Sequence, residues 1–203
     1  MRFAYADPPY PGKSRKYYGA HRDYAGEVDH QALITRLEAE FPDGWALSTS
    51  AAALQHVLAL CPEQQVSRGA AGGGTREQLR VLAWCKNLAQ PGGLPGPLYG
   101  WEPVILRGGR RAGARTWPRD WLVCSPDLYT LRRKPAEHVT GSKPRAFLEW
   151  VFRCLGAQSG DELVDLFPGS GAVAAAWEAF AAQSELGAEV LRAAPGPAEA
   201  LTA

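Results

Sequence analysis

The chain has little that would staple it, anchor it or charge it. Its four cysteines, Cys61, Cys85, Cys124 and Cys154, stand far apart and make no C-x-x-C pair. That excludes a zinc knuckle and a disulfide framework, and isolated thiols of this kind read as small buried residues in a reducing compartment. Neither sign of charge dominates: the net charge is +1, so a nucleic acid has to be met by a local patch rather than a global field. No apolar run approaches the roughly 18 residues of a membrane span. The N-terminus also lacks the apolar core of a signal peptide. These absences predict a soluble, cytoplasmic protein. His21, His30, His56 and His138 show no ligand spacing, so no metal is expected. Two nucleotide signatures are missing as well. The G-x-G-x-x-G fingerprint fails because Ala174 stands at its last position, and "GAAGGGTRE" does not supply G-x-x-x-x-G-K-[ST].

What is present divides into alternating strands and helices. At 203 residues the chain suffices for one domain with a real core. Residues 1–6 read as a strand that runs into "DPPYPG". Residues 29–40 space Leu33, Ile34 and Leu37 helically behind a capping Asp29. Residues 44–50 then read as a strand, 51–62 as a helix stopped by Pro62, and 79–86 and 101–108 as strands. Residues 145–155 form an apolar-faced helix, 161–167 a strand, 168–171 a tight turn and 172–183 a helix. Such alternation predicts an α/β domain with a mostly parallel sheet. The domain is expected over 1–194, in halves 1–140 and 141–194, with a frayed tail at 195–203.

Two stretches carry chemistry. Asp7-Pro8-Pro9-Tyr10 ends the first strand, and its prolines lack N–H groups and have fixed φ, so they hold the loop rigid. An acceptor side chain at one end and an aromatic face at the other suit a flat polar ligand. The second stretch is "ELVDLFPGSGAVAAAWEAF": a strand ends at Asp165, a glycine turn follows, and a helix opens at once. Glycines admit a ligand close to the backbone, and the helix N-terminus presents N–H groups to it. This is the pattern of a nucleotide-type cofactor site at the carboxyl end of a parallel strand.

Asp165-Leu166-Phe167-Pro168-Gly169-Ser170-Gly171 resembles the S-adenosylmethionine-binding motif of DNA amino-methyltransferases. Asp7-Pro8-Pro9-Tyr10 resembles their catalytic motif. The catalytic motif comes first and the cofactor motif last, as in the permuted, β-like arrangement of that family. "HVTGSKPRAFLEWV" resembles the lysine-proline segment that precedes the cofactor strand. "GWALSTSAAAL", "VLAWCK" and "GWEPVILRG" resemble the strands and turns between the sites. The resemblance covers residues 3–183. It implies a Rossmann-like class I methyltransferase fold with circularly permuted motif order. The cofactor would be S-adenosylmethionine, contacted by Lys143, Asp165, Phe167, Gly169, Ser170 and Gly171. Asp7 and the Pro8 carbonyl would accept from an exocyclic amino group, Pro9 would hold the loop, and Tyr10 would stack on a base turned out of the helix. Asp rather than Ser at the head of the motif favours adenine N6 over cytosine N4. The absence of a Pro-Cys dipeptide speaks against methylation at cytosine carbon 5.

The chain departs from the family at its end. An acidic residue is expected on a strand about 20 residues past the glycine turn, and Glu189 falls there, but little chain remains for that strand and its helix. Ala172 replaces the threonine that usually follows G-S-G. No separate target-recognition domain fits. DNA, or alternatively RNA or a free nucleobase, would meet two basic stretches with interleaved aromatics. The first holds Lys13, Arg15, Lys16 and Tyr17, and the second Arg110, Arg111 and Arg115. A catalytically idle member of the fold, binding nucleic acid or a partner, is the competing expectation. The sequence is silent on oligomeric state.

Overall fold

A computed structural model describes residues 1–12, 26–62, 79–90, 97–110, 117–125 and 143–193, without the side chains of 88–90 and 184–193. Its centre is β1 (Arg2–Ala6), a strand buried on both faces. Phe3 and Tyr5 point to one side, Ala4 and Ala6 to the other, all at 0% exposure. Such a strand belongs mid-sheet between layers of helices. Parallel neighbours flank it: β2 (Gly44–Ser48) and β6 (Glu162–Asp165). The remaining strands are β3 (Arg80–Gln90), β4 (Tyr99–Gly108) and β5 (Trp121–Val123). They complete a six-stranded sheet in the order β5-β3-β4-β2-β1-β6.

Because β4 is antiparallel to both β2 and β3, and β5 is parallel to β3, every strand but β4 runs the same way. The mostly parallel sheet expected from the sequence is present, with β4 as the exception. Its reversal follows from the short connection that turns β3 directly back into β4, where a parallel partner would need a long crossover.

Helices cover both faces. α1 (His30–Glu40) and α2 (Leu54–Leu60) lie on the side of Ala4, Ala6, Leu47 and Ile105. The predicted cap of α1 is made, with Asp29 accepting from the Ala32 N–H at 2.9 Å. α3 (Arg145–Cys154) and α4 (Ala172–Ala193) contribute to the core on the other side. There Phe147 of α3 lies against Tyr5, Trp84 and Trp150, with ring centroids 6.4, 4.8 and 5.9 Å away. Gly156, at φ 66°, supplies the left-handed residue that ends α3. Among the described residues no helix is long and apolar enough to cross a membrane.

The main differences from expectation lie in β5, α4 and α2. β5 lies in the arginine-rich second basic stretch, where no strand was expected. It exists through pairing with β3 and through indole bonds from Trp84 Nε1 to the Cys124 carbonyl (3.1 Å) and from Trp150 Nε1 to the Arg119 carbonyl (2.9 Å). α4 continues to Ala193 instead of stopping at 183, because alanine, glutamate, leucine and arginine sustain a helix there. α2 starts at Leu54 because residues 51–53 form a turn, in which Ser50 accepts from the Ala53 N–H.

Phe147 joins the core to the site, since it supports both Tyr5, two residues before Asp7, and Trp84, two before Lys86. Phe147→Ala is expected to remove about 3–5 kcal/mol of stability, read as a lowered urea midpoint at unchanged slope.

Candidate active site

The strand directions gather one end of the sheet. Asp7 follows β1, Thr49 follows β2, Lys86 lies late in β3 and Asp165 ends β6, while the reversed β4 brings Glu102 near its start to the same edge. Ligand clefts form at such carboxyl ends. Tyr5 pairs in register with Asp165, and the Leu166 N–H donates to the Tyr5 carbonyl at 3.0 Å. The proline loop and the glycine turn therefore leave adjacent strands side by side.

Charge is concentrated beyond Tyr5. Lys143, one residue before the Pro144 that caps α3, donates from Nζ to both oxygens of Asp7, at 2.8 and 2.7 Å. The Lys143 side chain is 7% exposed and those of Asp7 and Glu102 are 20%. Tyr10 OH donates to Glu102 Oε2 at 2.8 Å and lies 3.4 Å from Lys143 Nζ. Lys86 pairs with Glu102 Oε1 and stands over the Trp84 ring. Beneath the cluster, Tyr5 OH and Ser48 Oγ share a hydrogen bond of 2.8 Å.

The two carboxylates titrate in opposite directions. Burial raises the Asp7 carboxyl above its ordinary range, and the charge and hydrogen bonds of Lys143 offset only part of this. Burial acts on Glu102 in the same sense, but Lys143, Lys86 and the Tyr10 hydroxyl together outweigh it and hold that carboxyl low. Burial, then the charges of Asp7 and Glu102, push the Tyr10 phenol well up, so it remains a donor.

The second half of the site is the glycine turn. Asp165 Oδ1 accepts from the Phe167 N–H at 3.0 Å, an Asx-type turn that starts the loop. Burial raises this carboxyl, the Phe167 N–H opposes the rise, and the Asp7 charge adds to it. The Gly171 N–H donates to the Pro168 carbonyl at 2.7 Å. Gly171 has φ 72° and α4 begins at the next residue. A Cβ at Gly171 would meet nothing within 4 Å, and one at Gly169 would meet only the Phe167 carbonyl at 3.7 Å. The space over the turn is open to a ligand that comes close to the backbone.

Asp7, Tyr10, Lys143, Asp165, Phe167, Gly169, Ser170 and Gly171 thus gather at one edge, with Pro8 buried and Pro9 half-buried between them. Lys143, expected on the cofactor side, lies against Asp7. Glu189 stands within α4 and not on a strand, because the helix runs on through it. Arg110 is at the far end of the sheet, where its guanidinium binds the Asp161 carboxylate ahead of β6 and its Nε donates to the Gly156 carbonyl at 3.1 Å. That pair places Arg110 at the opposite edge of the sheet from the Asp7 loop. Lys13, Arg15, Lys16, Tyr17, Arg111 and Arg115 lie outside the described residues. In the second basic stretch, Trp117 and Trp121 are exposed, with the Arg119 guanidinium 5.0 Å from the Trp121 ring.

Sequence reasoning missed Glu102 and Lys86. The available signal was a charged residue inside each of two apolar strands, "GWEPVILRG" and "VLAWCK". Nothing local says that both face the Asp7 loop.

No protein-family model matches this sequence, and no curated protein matches it. Solved structures do match in fold. The crystal structure of the M1.HpyAVI–SAM complex aligns with a TM-score of 0.54 at 12% identity, over 89% of this chain and 78% of that one. The crystal structure of M1.HpyAVI aligns with a TM-score of 0.50 at 12% identity, over 88% and 76%. The six-stranded α/β architecture is similar in fold to that of the M1.HpyAVI–SAM complex.

The Asp7–Lys143 pair makes a direct expectation. By carbon-13 NMR the Asp7 carboxyl should titrate above the ordinary range of about 3.9, and Lys143→Met should raise it further by removing the cation that opposes burial. An Asp7 titration indifferent to Lys143 would contradict the ion pair.

Proposed function

We propose that this protein is an S-adenosylmethionine-dependent methyltransferase that acts on an exocyclic amino group of a base in DNA, with adenine N6 favoured over cytosine N4. One observation carries the reading: the Asp7 loop and the glycine turn leave the paired ends of β1 and β6 together. A catalytic acceptor and a cofactor cradle have to meet at such an edge, and the two motifs come from distant parts of the chain. The likeness in fold to the M1.HpyAVI–SAM complex supports the cofactor.

The residues fit that cofactor. Gly169 and Gly171 leave the backbone open over the turn, and the first turn of α4 points its N–H groups there. Asp165 and Ser170 shape the loop through bonds to the N–H groups of Phe167 and Ala172. When bound, S-adenosylmethionine supplies a methyl group activated by its sulfonium. The chain's own part is to prepare the acceptor nitrogen. An exocyclic amino group is a poor nucleophile because its lone pair is delocalised into the ring. Acceptors aimed at its protons, here the Asp7 carboxylate and the Pro8 carbonyl, stabilise the positive charge that grows on nitrogen. The two prolines hold those acceptors in place before the reaction starts. Tyr10 offers its ring to the base, which must leave a duplex to reach the pocket.

A second reading has its own observation. Glu189 stands within α4 and not on a strand, so it is not the acidic strand residue that would hold the cofactor ribose. A fold that binds nucleic acid or a partner without catalysis would need none. Calorimetry separates the readings, since the enzyme must bind S-adenosylmethionine or its demethylated product.

Gly171→Val should abolish that binding while the protein stays folded, because a β-branched side chain both resists φ 72° and fills the open cradle. Near-normal affinity would refute the cofactor site. Asp7→Ala should keep cofactor affinity and lower single-turnover methylation of DNA by about 100-fold, about 3 kcal/mol of transition-state stabilisation. Since the working form of Asp7 is ionised, the wild-type rate should fall as pH drops through its raised pKa. The acid limb then lies at higher pH than an ordinary aspartate would set. A rate independent of pH across that range would count against Asp7.

A further inference from the structure

Both oxygens of Asp7 already accept from Lys143 Nζ, at 2.8 and 2.7 Å. An amino group that is to use those oxygens must compete with an ammonium. The ammonium also sits where a nitrogen would gain positive charge, and like charges repel. For the proposed chemistry to proceed, Lys143 has to yield. Glu102 stands where it can receive the cation. Its Oε2 is 3.8 Å from Lys143 Nζ, and the Tyr10 hydroxyl lies beside both, 3.4 Å from the ammonium and 2.8 Å from Oε2. Lys86 holds the other oxygen, Oε1. Glu102 is therefore kept charged by a cation of its own, and a small movement of Lys143 exchanges one carboxylate for the other.

We propose that Glu102 is a positioning residue that shares the Lys143 ammonium with Asp7 and draws it off the Asp7 oxygens when the target amino group enters. The role rests on the methyltransferase reading. It gives Lys86 a purpose too, since a Glu102 without Lys86 would bind Lys143 too firmly to let it return. Besides Lys143 and Lys86, the groups that act on Asp7 are Glu102, Tyr5, Tyr10 and Asp165. Of these Glu102 is the carboxylate within reach of the ammonium.

The test uses Glu102→Gln, Lys143→Met and the double variant beside wild type, each checked for a cooperative melt. Single-turnover methylation of DNA is followed with saturating S-adenosylmethionine at mildly alkaline pH, which keeps Asp7 ionised. Glu102→Gln removes the second carboxylate near Lys143, so it should be at least about 10-fold slower than wild type at unchanged cofactor affinity. The double variant should be faster than Glu102→Gln by about threefold or more, because the cation blocking Asp7 has gone. Losses that merely multiply, as for a structural residue, overturn the proposal. Lys143→Arg is the second handle should Glu102→Gln fail to fold. A guanidinium fork fits both carboxylate oxygens and releases them reluctantly, so Lys143→Arg should be slower than Lys143→Met. The opposite order overturns the proposal.

A readout that needs no methylation keeps the two ideas apart. In carbon-13 titrations of Asp7, Glu102→Gln should lower the pH of titration, and by more with Lys143 present than in Lys143→Met. Equal shifts in both backgrounds overturn the shared ammonium. Unequal shifts in a protein that methylates no DNA support the shared ammonium and overturn the methyltransferase reading.

Discussion

The site depends first on the parallel pairing of β1 with β6, in a register that sets Tyr5 opposite Asp165. A slip of one residue would turn Phe3, Tyr5 and Asp7 to the other face of the sheet. The packing resists that slip because the two faces of β1 differ in size. Phe3 and Tyr5 fit among Phe147, Trp84 and Trp150, whereas Ala4 and Ala6 leave room for α1 and α2. Burial on both sides thus selects the register, and the register decides where the Asp7 carboxylate emerges.

What emerges is a charge cluster that a folding domain tolerates only because it is paired. Two carboxylates and two lysines stand at the sheet edge, each 20% exposed or less. Removing one of them would weaken the pairing of the charges left behind, and a largely buried charge that loses its partner costs more than the pair itself contributes. The cluster is also uneven. Asp7 is raised by burial and Glu102 is lowered by its two lysines. Similar carboxylates pushed apart by their surroundings are a mark of a working site, whereas Arg110–Asp161 at the far edge is a pair that serves the fold.

Most of the architecture was legible from local pattern. The helical spacing of Leu33, Ile34 and Leu37 behind Asp29, and the apolar face of 145–155, became α1 and α3 because each buries one stripe. β5 was not legible. Three residues between arginines have no periodicity of their own, and their strand exists by pairing with β3. The end of α4 misled in the opposite way: spacing pointed to an acidic strand residue at Glu189, while helix propensity carried the chain past it. Of the site, both motifs were readable, because prolines and glycines announce a rigid loop and a close approach without any knowledge of contacts.

By itself the sequence determined the chemistry available at each end: an acceptor held by prolines, an open glycine turn, and an α/β domain to carry them. Those properties belong to residue types and short spacings. The tertiary structure alone decided what stands beside them. Lys143 meets Asp7 across 136 positions and Tyr10 meets Glu102 across 92. No local rule reaches that far. The direction of β4 turns Glu102 toward the site, and the seat of α3 on its aromatic core delivers Lys143. Both are consequences of how strands pair and helices bury their faces, and a side chain's partners follow from them.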